Sequence, residues 1–244
     1  LTSLVDAHVH LYEFNRKEIE DFISSNMLLV AVAEDYDSSI RNLELRDEFP
    51  ENVRACVGLH PWNVKQEADA LRQLEQINGL LKEADCVGEV GLDLKFTPTT
   101  FNLQKQVFQA LLDMAVSHSL PLNLHAAGAW SQVFEMLVQR GAKKAIFHWY
   151  TGPISLLQEI TEKGLYISIN ASASIQEKSK NIARNTPLHL LLTESDGPYS
   201  YRGLNLSPLL IPGLVKLISN LKRIEEGKLT QEIHKNITTL FQKH

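Results

Sequence analysis

Six residues of this chain have the chemistry to hold metal ions: His8, His10, Glu89, His125, His148 and Asp196. The first two form His8-Val9-His10, and alternate residues of an extended segment project to one side, so both imidazoles can reach one ion. The other four each end a separate hydrophobic stretch. Imidazoles combined with two carboxylates are the donor set of a divalent-metal hydrolase. Glu89 lies inside the apolar run Val87-Gly88-Glu89-Val90-Gly91, where a carboxylate is costly to bury unless paired or bound to a cation. The same holds for Glu194-Ser195-Asp196, which closes a leucine-rich run. Glu194 and Asp196 are two apart and can face the same way, as can Asn123 and His125. Glu194 either orients a histidine or a water, the preferred reading, or ligates a second ion. Glu89 falls midway among these positions, and its carboxylate can bridge two cations about 3.5–4 Å apart. The natural partition gives His8, His10, Glu89 and Asp196 to one ion and Glu89, His125 and His148 to the other. Such ions would polarise a phosphoryl oxygen and acidify a bound water, with Glu89 and Asp196 as the catalytic carboxylates and Asp196 as general base.

These residues must be brought together by the elements between them. Strands are expected at 4–6, 28–33, 53–59, 86–92, 120–124, 145–149, 165–170 and 188–193, as continuous apolar runs of the kind that parallel strands covered by helices require. Amphipathic helical patterns separate them at 17–25, 38–48, 67–83, 100–117, 130–139, 154–162 and 175–183, and two more close the chain at 208–225 and 229–241. Repeated β-then-α units predict a parallel sheet, and eight of them predict a closed (β/α)8 TIM-type barrel, a single α/β domain over residues 1–244. Barrel enzymes build their sites at the C-terminal ends of the strands. His8 and His10 are expected to follow strand one, Glu89 to lie in strand four, His125 to end strand five, His148 to lie in strand six and Asp196 to follow strand eight.

Composition narrows the partners. The 244 residues are 44% hydrophobic and 22% charged, with a net charge of −5. No run approaches the roughly 20 apolar residues that span a bilayer, so no membrane partner is expected. With the first strand expected near Leu4, no signal or transit peptide is expected, and a cytoplasmic location is expected. Cys56 and Cys86 lie in apolar runs outside any CxxC pair and read as buried core thiols in a reducing compartment. The acidic balance disfavours a long groove on duplex nucleic acid, which needs a basic surface. It favours contact with a few nucleotides near an end, with bound cations supplying positive charge. His60, Lys95 and Arg202 at strand tips are candidate phosphate contacts. Trp149, with Trp62 and Tyr150, is a candidate for stacking on bases. Asp93 is expected to brace its loop. His118, His189, His234 and His244 are expected to stand apart from the site.

The chain resembles the TatD-type metal-dependent deoxyribonucleases, within the amidohydrolase-like metallo-hydrolases. The resemblance rests on Val5-Asp6-Ala7-His8-Val9-His10-Leu11, Gly58-Leu59-His60-Pro61, Gly88-Glu89-Val90-Gly91-Leu92-Asp93, Leu120-Pro121-Leu122-Asn123-Leu124-His125, His148-Trp149-Tyr150-Thr151-Gly152 and Thr193-Glu194-Ser195-Asp196-Gly197-Pro198, with Tyr199 and Arg202-Gly203 trailing. It covers nearly the whole chain. It implies a TIM-type barrel, one to three divalent metals, and hydrolysis of DNA phosphodiesters, often from an end. It also implies the same six metal ligands. Two ions are expected, Mg2+, Mn2+ or Zn2+, with short or single-stranded DNA ends as substrate. Other readings are a hydrolase of a small ester, lactone or cyclic amide, and a non-catalytic metal-binding partner protein. Some residues depart from the family pattern. The family's Ser-Arg-x-Ala after the strand-five histidine is Ala126-Ala127-Gly128-Ala129 here, which removes a cation from the substrate's surroundings. Asn170 replaces a common glycine at the tip of strand seven, and His148-Trp149-Tyr150 is bulkier than usual.

Overall fold

The structure, a computed structural model, describes residues 2–242. Residues 1, 243 and 244 of the expected domain, and with them His244, lie outside the described residues.

Eight parallel strands form one sheet in sequence order: β1 (Leu4–Val9), β2 (Met27–Ala31), β3 (Val53–Val57), β4 (Cys86–Gly91), β5 (Leu122–His125), β6 (Ala145–Phe147), β7 (Tyr166–Asn170) and β8 (Leu191–Glu194). The helices α1 (Arg16–Ser24), α2 (Tyr36–Glu48), α3 (Glu67–Leu80), α4 (Phe101–Ser117), α5 (Trp130–Arg140), α6 (Ile154–Glu162) and α7 (Glu177–Asn185) fill the seven connections. Two more, α8 (Ile211–Lys222) and α9 (Glu226–Phe241), follow β8. Nearly every strand residue is buried, because the strands are covered on both faces. Local sequence fixes the helix starts. Asn15 and Glu18 form a reciprocal capping box on α1, and Asp35 and Ser38 form one on α2. Gly141, at φ 68°, takes the left-handed position that ends α5.

The ring closes where β8 meets β1. Asp196 N–H donates to His8 O at 2.9 Å, Ser195 N–H to Asp6 Oδ1 at 2.9 Å, and Thr193 Oγ1 to Val5 O at 2.6 Å. Asp6 is fully buried, and burial pushes its pKa up to about 7 against the hydrogen bonds it accepts. Past an irregularity after Asp6, β1 pairs with β2 again at Val9, opposite Ala31. His8 is therefore inside β1 and only His10 follows it, where both were expected beyond the strand. Several other boundaries differ: β2 and β3 each end two residues early, at Ala31 and Val57, and β5 starts two residues late, at Leu122. Residues Leu188–Leu190 form a 3-10 turn closed by Leu190 N–H on Pro187 O at 3.0 Å, and β8 starts after it. His148 lies one residue past β6 and not within it.

The cysteines depart most from expectation. Cys56 and Cys86 are register partners on β3 and β4, with Cα atoms 4.4 Å apart, and they are joined as a disulfide. The expectation of two free thiols is corrected, and the inference of a reducing compartment falls with it. The pairing comes from strand register across 30 residues of sequence, which no local spacing reveals. Among the described residues no helix is long and apolar enough to cross a membrane. A short hairpin of β9 (Ser200–Tyr201) and β10 (Leu204–Asn205) rises beyond β8.

Candidate metal centre

The strand ends gather His8, His10, Glu89, His125, His148 and Asp196 into one buried cluster, each at most 8% exposed. Glycines let the strands approach at this point. A Cβ on Gly88 would lie 2.5 Å from Asn123 Cβ, and one on Gly91, at φ 145°, would lie 1.9 Å from His125 O. The run flanking Glu89 thus admits β5 at contact distance and brings Asn123 and His125 to the centre. Asp196 has φ 59°, a conformation an aspartate tolerates better than most residues.

Glu89 divides its two oxygens between two groups of histidines. Oε2 lies 3.3 Å from His8 Nε2 and 3.5 Å from His10 Nε2. Oε1 lies 2.7 Å from His125 Nδ1 and 3.1 Å from His148 Nε2. Asp196 Oδ1 stands 3.4 Å from both His8 Nε2 and His10 Nε2.

Hydrogen bonds behind the cluster set the ring protons. Asn123 Nδ2 donates to Ala7 O at 2.8 Å, which turns its Oδ1 to His8 Nδ1 at 2.8 Å. His8 Nδ1 therefore carries the proton, and Nε2 presents a lone pair. That buried Nε2 has no hydrogen-bond partner among the described residues, yet it faces two carboxylate oxygens. Three acceptors converging in a buried space call for a cation, and this donor set suits a divalent ion. The carboxylates otherwise draw positive charge onto the imidazoles themselves. Burial opposes charge on His8, but Glu89 and Asp196 outweigh it and raise its pKa. Burial pushes Glu89 up, but His60, His148 and His8 hold it well below the carboxylate range. Burial likewise opposes ionisation of Asp196, and His10 and His8 overcome it. Burial and His8 oppose charge on His148, whereas Glu89 and Glu194 bring its pKa up to about 9.

Glu194 stands behind His148. Its Oε1 is 3.4 Å from His148 Nδ1 and accepts from Asn170 Nδ2 at 3.3 Å, while Ser168 Oγ donates to Oε2. His60 is buried beside Glu89, with Nε2 3.3 Å from Oε1 and 3.2 Å from His125 Nδ1. Its Nδ1 accepts from Trp62 N–H at 3.2 Å, so the proton sits on Nε2 and His60 presents a donor to the site. Burial lowers its pKa to about 4, which keeps it neutral.

A cavity of about 400 Å³ opens above the cluster. Lys95, Trp149, Trp62 and His60 line it, together with Phe96, Trp130, Tyr199 and Tyr201. Arg202 does not line it. Arg202 sits at the turn of the β9–β10 hairpin with φ 49°, its guanidinium over the Tyr201 ring. Tyr150, a candidate stacking residue, is 1% exposed and donates to Pro153 O at 2.7 Å, so it is a core residue. His118, His189 and His234 are absent from the lining.

Sequence reasoning missed Glu34 and Glu13, which face this cavity. One atom each of His10, Glu13 and Glu34 come within 4.8 Å of one another. Glu34 follows the apolar run that ends β2, the same signal that marked the other carboxylates. Glu13, in a 3-10 turn, had no such mark.

An eight-stranded parallel barrel with histidines and carboxylates converging at its C-terminal mouth is the arrangement of a barrel metallo-hydrolase. The family described as TatD related DNase matches residues 5–242, and the chain belongs to this TatD family of metal-dependent hydrolases. It is 27% identical over 250 residues to the uncharacterized metal-dependent hydrolase MJ1582 of Methanocaldococcus jannaschii, covering 98% of this chain and 97% of that one. It is 28% identical over 216 residues to mouse TATDN3, named as a candidate deoxyribonuclease, covering 80% and 72%. The crystal structure of YJJV, a TatD homolog from Escherichia coli K12, superposes with a TM-score of 0.86 at 22% identity, over 99% of this chain and 98% of that one.

Proposed function

We propose that this protein cleaves phosphodiester bonds at short or single-stranded DNA ends, with two divalent cations at the mouth of the barrel. The observation that carries this is the division of the Glu89 carboxylate, Oε2 toward His8 and His10 and Oε1 toward His125 and His148. One position is framed by His8, His10, Asp196 and Glu89 Oε2, the other by His125, His148 and Glu89 Oε1. Divalent ions so held would neutralise phosphate charge and acidify water near neutral pH.

The protein's own groups have separate tasks. The Asp196 carboxylate, at the edge of the cavity, takes up the proton from the attacking water. His60 Nε2–H donates to a phosphoryl oxygen. Lys95 supplies the mouth's positive side chain, and Trp149 offers a face to a base. The deoxyribonuclease name of TATDN3 supports DNA as the substrate class.

A second reading, hydrolysis of a small ester or lactone, is favoured by the lining itself. Among the described residues Lys95 is the sole lysine or arginine of the lining, and Glu13 and Glu34 bring charge of the same sign as phosphate. The test is hydrolysis of bis(p-nitrophenyl) phosphate, single-stranded oligonucleotides and a lactone panel with Mg2+, Mn2+ or Zn2+. Release of nucleotides from oligonucleotide ends is expected, and turnover of lactones alone would remove the nuclease reading.

A further inference from the structure

We infer that Asp93 is a positioning residue that holds the His125–His148 cation position in shape and ties it to the wall where substrate rests. The inference builds on the two-cation reading above, and it concerns residues that no cation touches directly.

Asp93 is completely buried and surrounded by donors. Its Oδ1 accepts the backbone N–H groups of Lys95 at 2.8 Å and Phe96 at 2.6 Å. Its Oδ2 accepts the Trp62 indole N–H at 2.5 Å and His125 Nε2–H at 3.0 Å. Its own N–H donates to Gln104 Oε1 at 2.8 Å, which anchors it to α4. One carboxylate thus joins a candidate metal ligand to two segments of the cavity wall. The bond to Nε2 holds a ring proton there and points Nδ1 at Glu89 Oε1, 2.7 Å away, where it donates a hydrogen bond that a cation would replace.

The two cation positions are supported unequally. Carboxylates stand behind both histidines of one: Asp93 behind His125 and Glu194 behind His148. At the other, His8 leans on the neutral Asn123 and no carboxylate stands behind His10 among the described residues. His10 Nδ1 and His148 Nδ1 both lack a hydrogen bond, but His148 Nδ1 has Glu194 Oε1 at 3.4 Å. The facing carboxylates run the opposite way. The His8–His10 position has Glu89 and Asp196, whereas the His125–His148 position has Glu89 alone. A carboxylate behind an imidazole raises its basicity and fixes its orientation, and losing one costs about 10–100-fold in metal affinity. Asp93 and Glu194 therefore make up, from behind, for the negative ligand that the His125–His148 position lacks. Trp62, sharing Oδ2 with His125, should sense when that position fills.

Titration of metal-free protein with Mn2+ or Zn2+, read by calorimetry and by tryptophan fluorescence, tests this. Wild type is expected to bind two ions, with a fluorescence change on filling one of them that Trp62→Phe removes while both ions still bind. In Asp93→Asn the amide N–H would oppose His125 Nε2–H and drive the ring proton onto Nδ1. One ion should weaken by about 10–100-fold while the other keeps its affinity. Glu194→Gln should weaken the same ion without touching the Trp62 bond, and this variant decides the matter if Asp93→Asn does not fold. Two ions at wild-type affinity in the variants, or equal weakening of both, would overturn the role of Asp93. Wild-type protein that binds no divalent ion would instead overturn the two-cation reading beneath it.

Discussion

The floor of the cavity and its rim are built by different rules. Floor residues come from strand ends and are buried, with Asn123 hydrogen-bonded behind His8, Asp93 hydrogen-bonded behind His125, and the Glu194 carboxylate 3.4 Å behind His148. Rim residues come from loops and are more open, as at Trp62 and Phe96, which are 37% and 56% exposed. The floor is preorganised, so changes there should remove chemistry outright. The rim meets water, so changes there should alter how substrate binds. Opposite outcomes would dissolve the distinction.

Glu89→Ala should have the largest effect. It removes the one carboxylate shared by both cation positions, so turnover of bis(p-nitrophenyl) phosphate should fall below detection. That is beyond the roughly 10²–10³-fold that a single transition-state contact is worth. The circular dichroism spectrum should be unchanged, because the hydrogen bonds behind His8 and His125 stay in place. A measurable rate at saturating Mn2+ would show that the floor does not depend on the bridge. Asp196→Asn comes next. It keeps the shape but removes the proton acceptor, and a drop in kcat of about 10²–10⁴-fold with a smaller change in KM is expected. If KM alone rises, Asp196 belongs with the binding residues.

The same division explains what could be read from sequence. The barrel was legible because each strand is an uninterrupted apolar run, and the cluster because charged and imidazole groups closing such runs carry a cost that must be met. Glu34 carries the same signal, three residues beyond β2 and next to Asp35, which caps α2. Groups that act through register were invisible. Cys56 and Cys86 meet only because β3 and β4 align them, and Asp93 reaches His125 only because β4 and β5 are neighbours. At the rim, sequence pointed to Arg202 and Tyr150 by their distance from a strand end. Loop geometry sends one to a hairpin turn and the other into the core.

Smaller effects belong to the rim. Lys95→Ala should raise KM for oligonucleotides about tenfold, the worth of roughly 1.4 kcal/mol, and lower the salt slope by about one, with kcat nearly unchanged. A fall in kcat alone would move Lys95 to the floor. Glu13→Gln removes a negative charge from the mouth and should raise kcat/KM for oligonucleotides about two- to threefold at low salt, the gain fading as ionic strength screens it. No salt-dependent gain would mean that the Glu13 charge is not felt by substrate.

The smallest effect is expected at Arg202, and it sharpens the comparison most. Sequence made it a phosphate contact equal to Lys95. The structure sets its guanidinium on the Tyr201 ring, outside the cavity lining. An exposed cation–ring contact is worth about 0.5–1 kcal/mol, and its loss should appear as a small decrease in thermal stability. Arg202→Ala should therefore leave kcat and KM for oligonucleotides within about twofold of wild type. Side-by-side salt titrations of Arg202→Ala and Lys95→Ala separate the cases, since a phosphate contact changes the slope and a hairpin contact does not. If Arg202→Ala flattens the slope as much as Lys95→Ala, the hairpin reaches substrate, and the rim extends from the Lys95 loop across to β9 and β10.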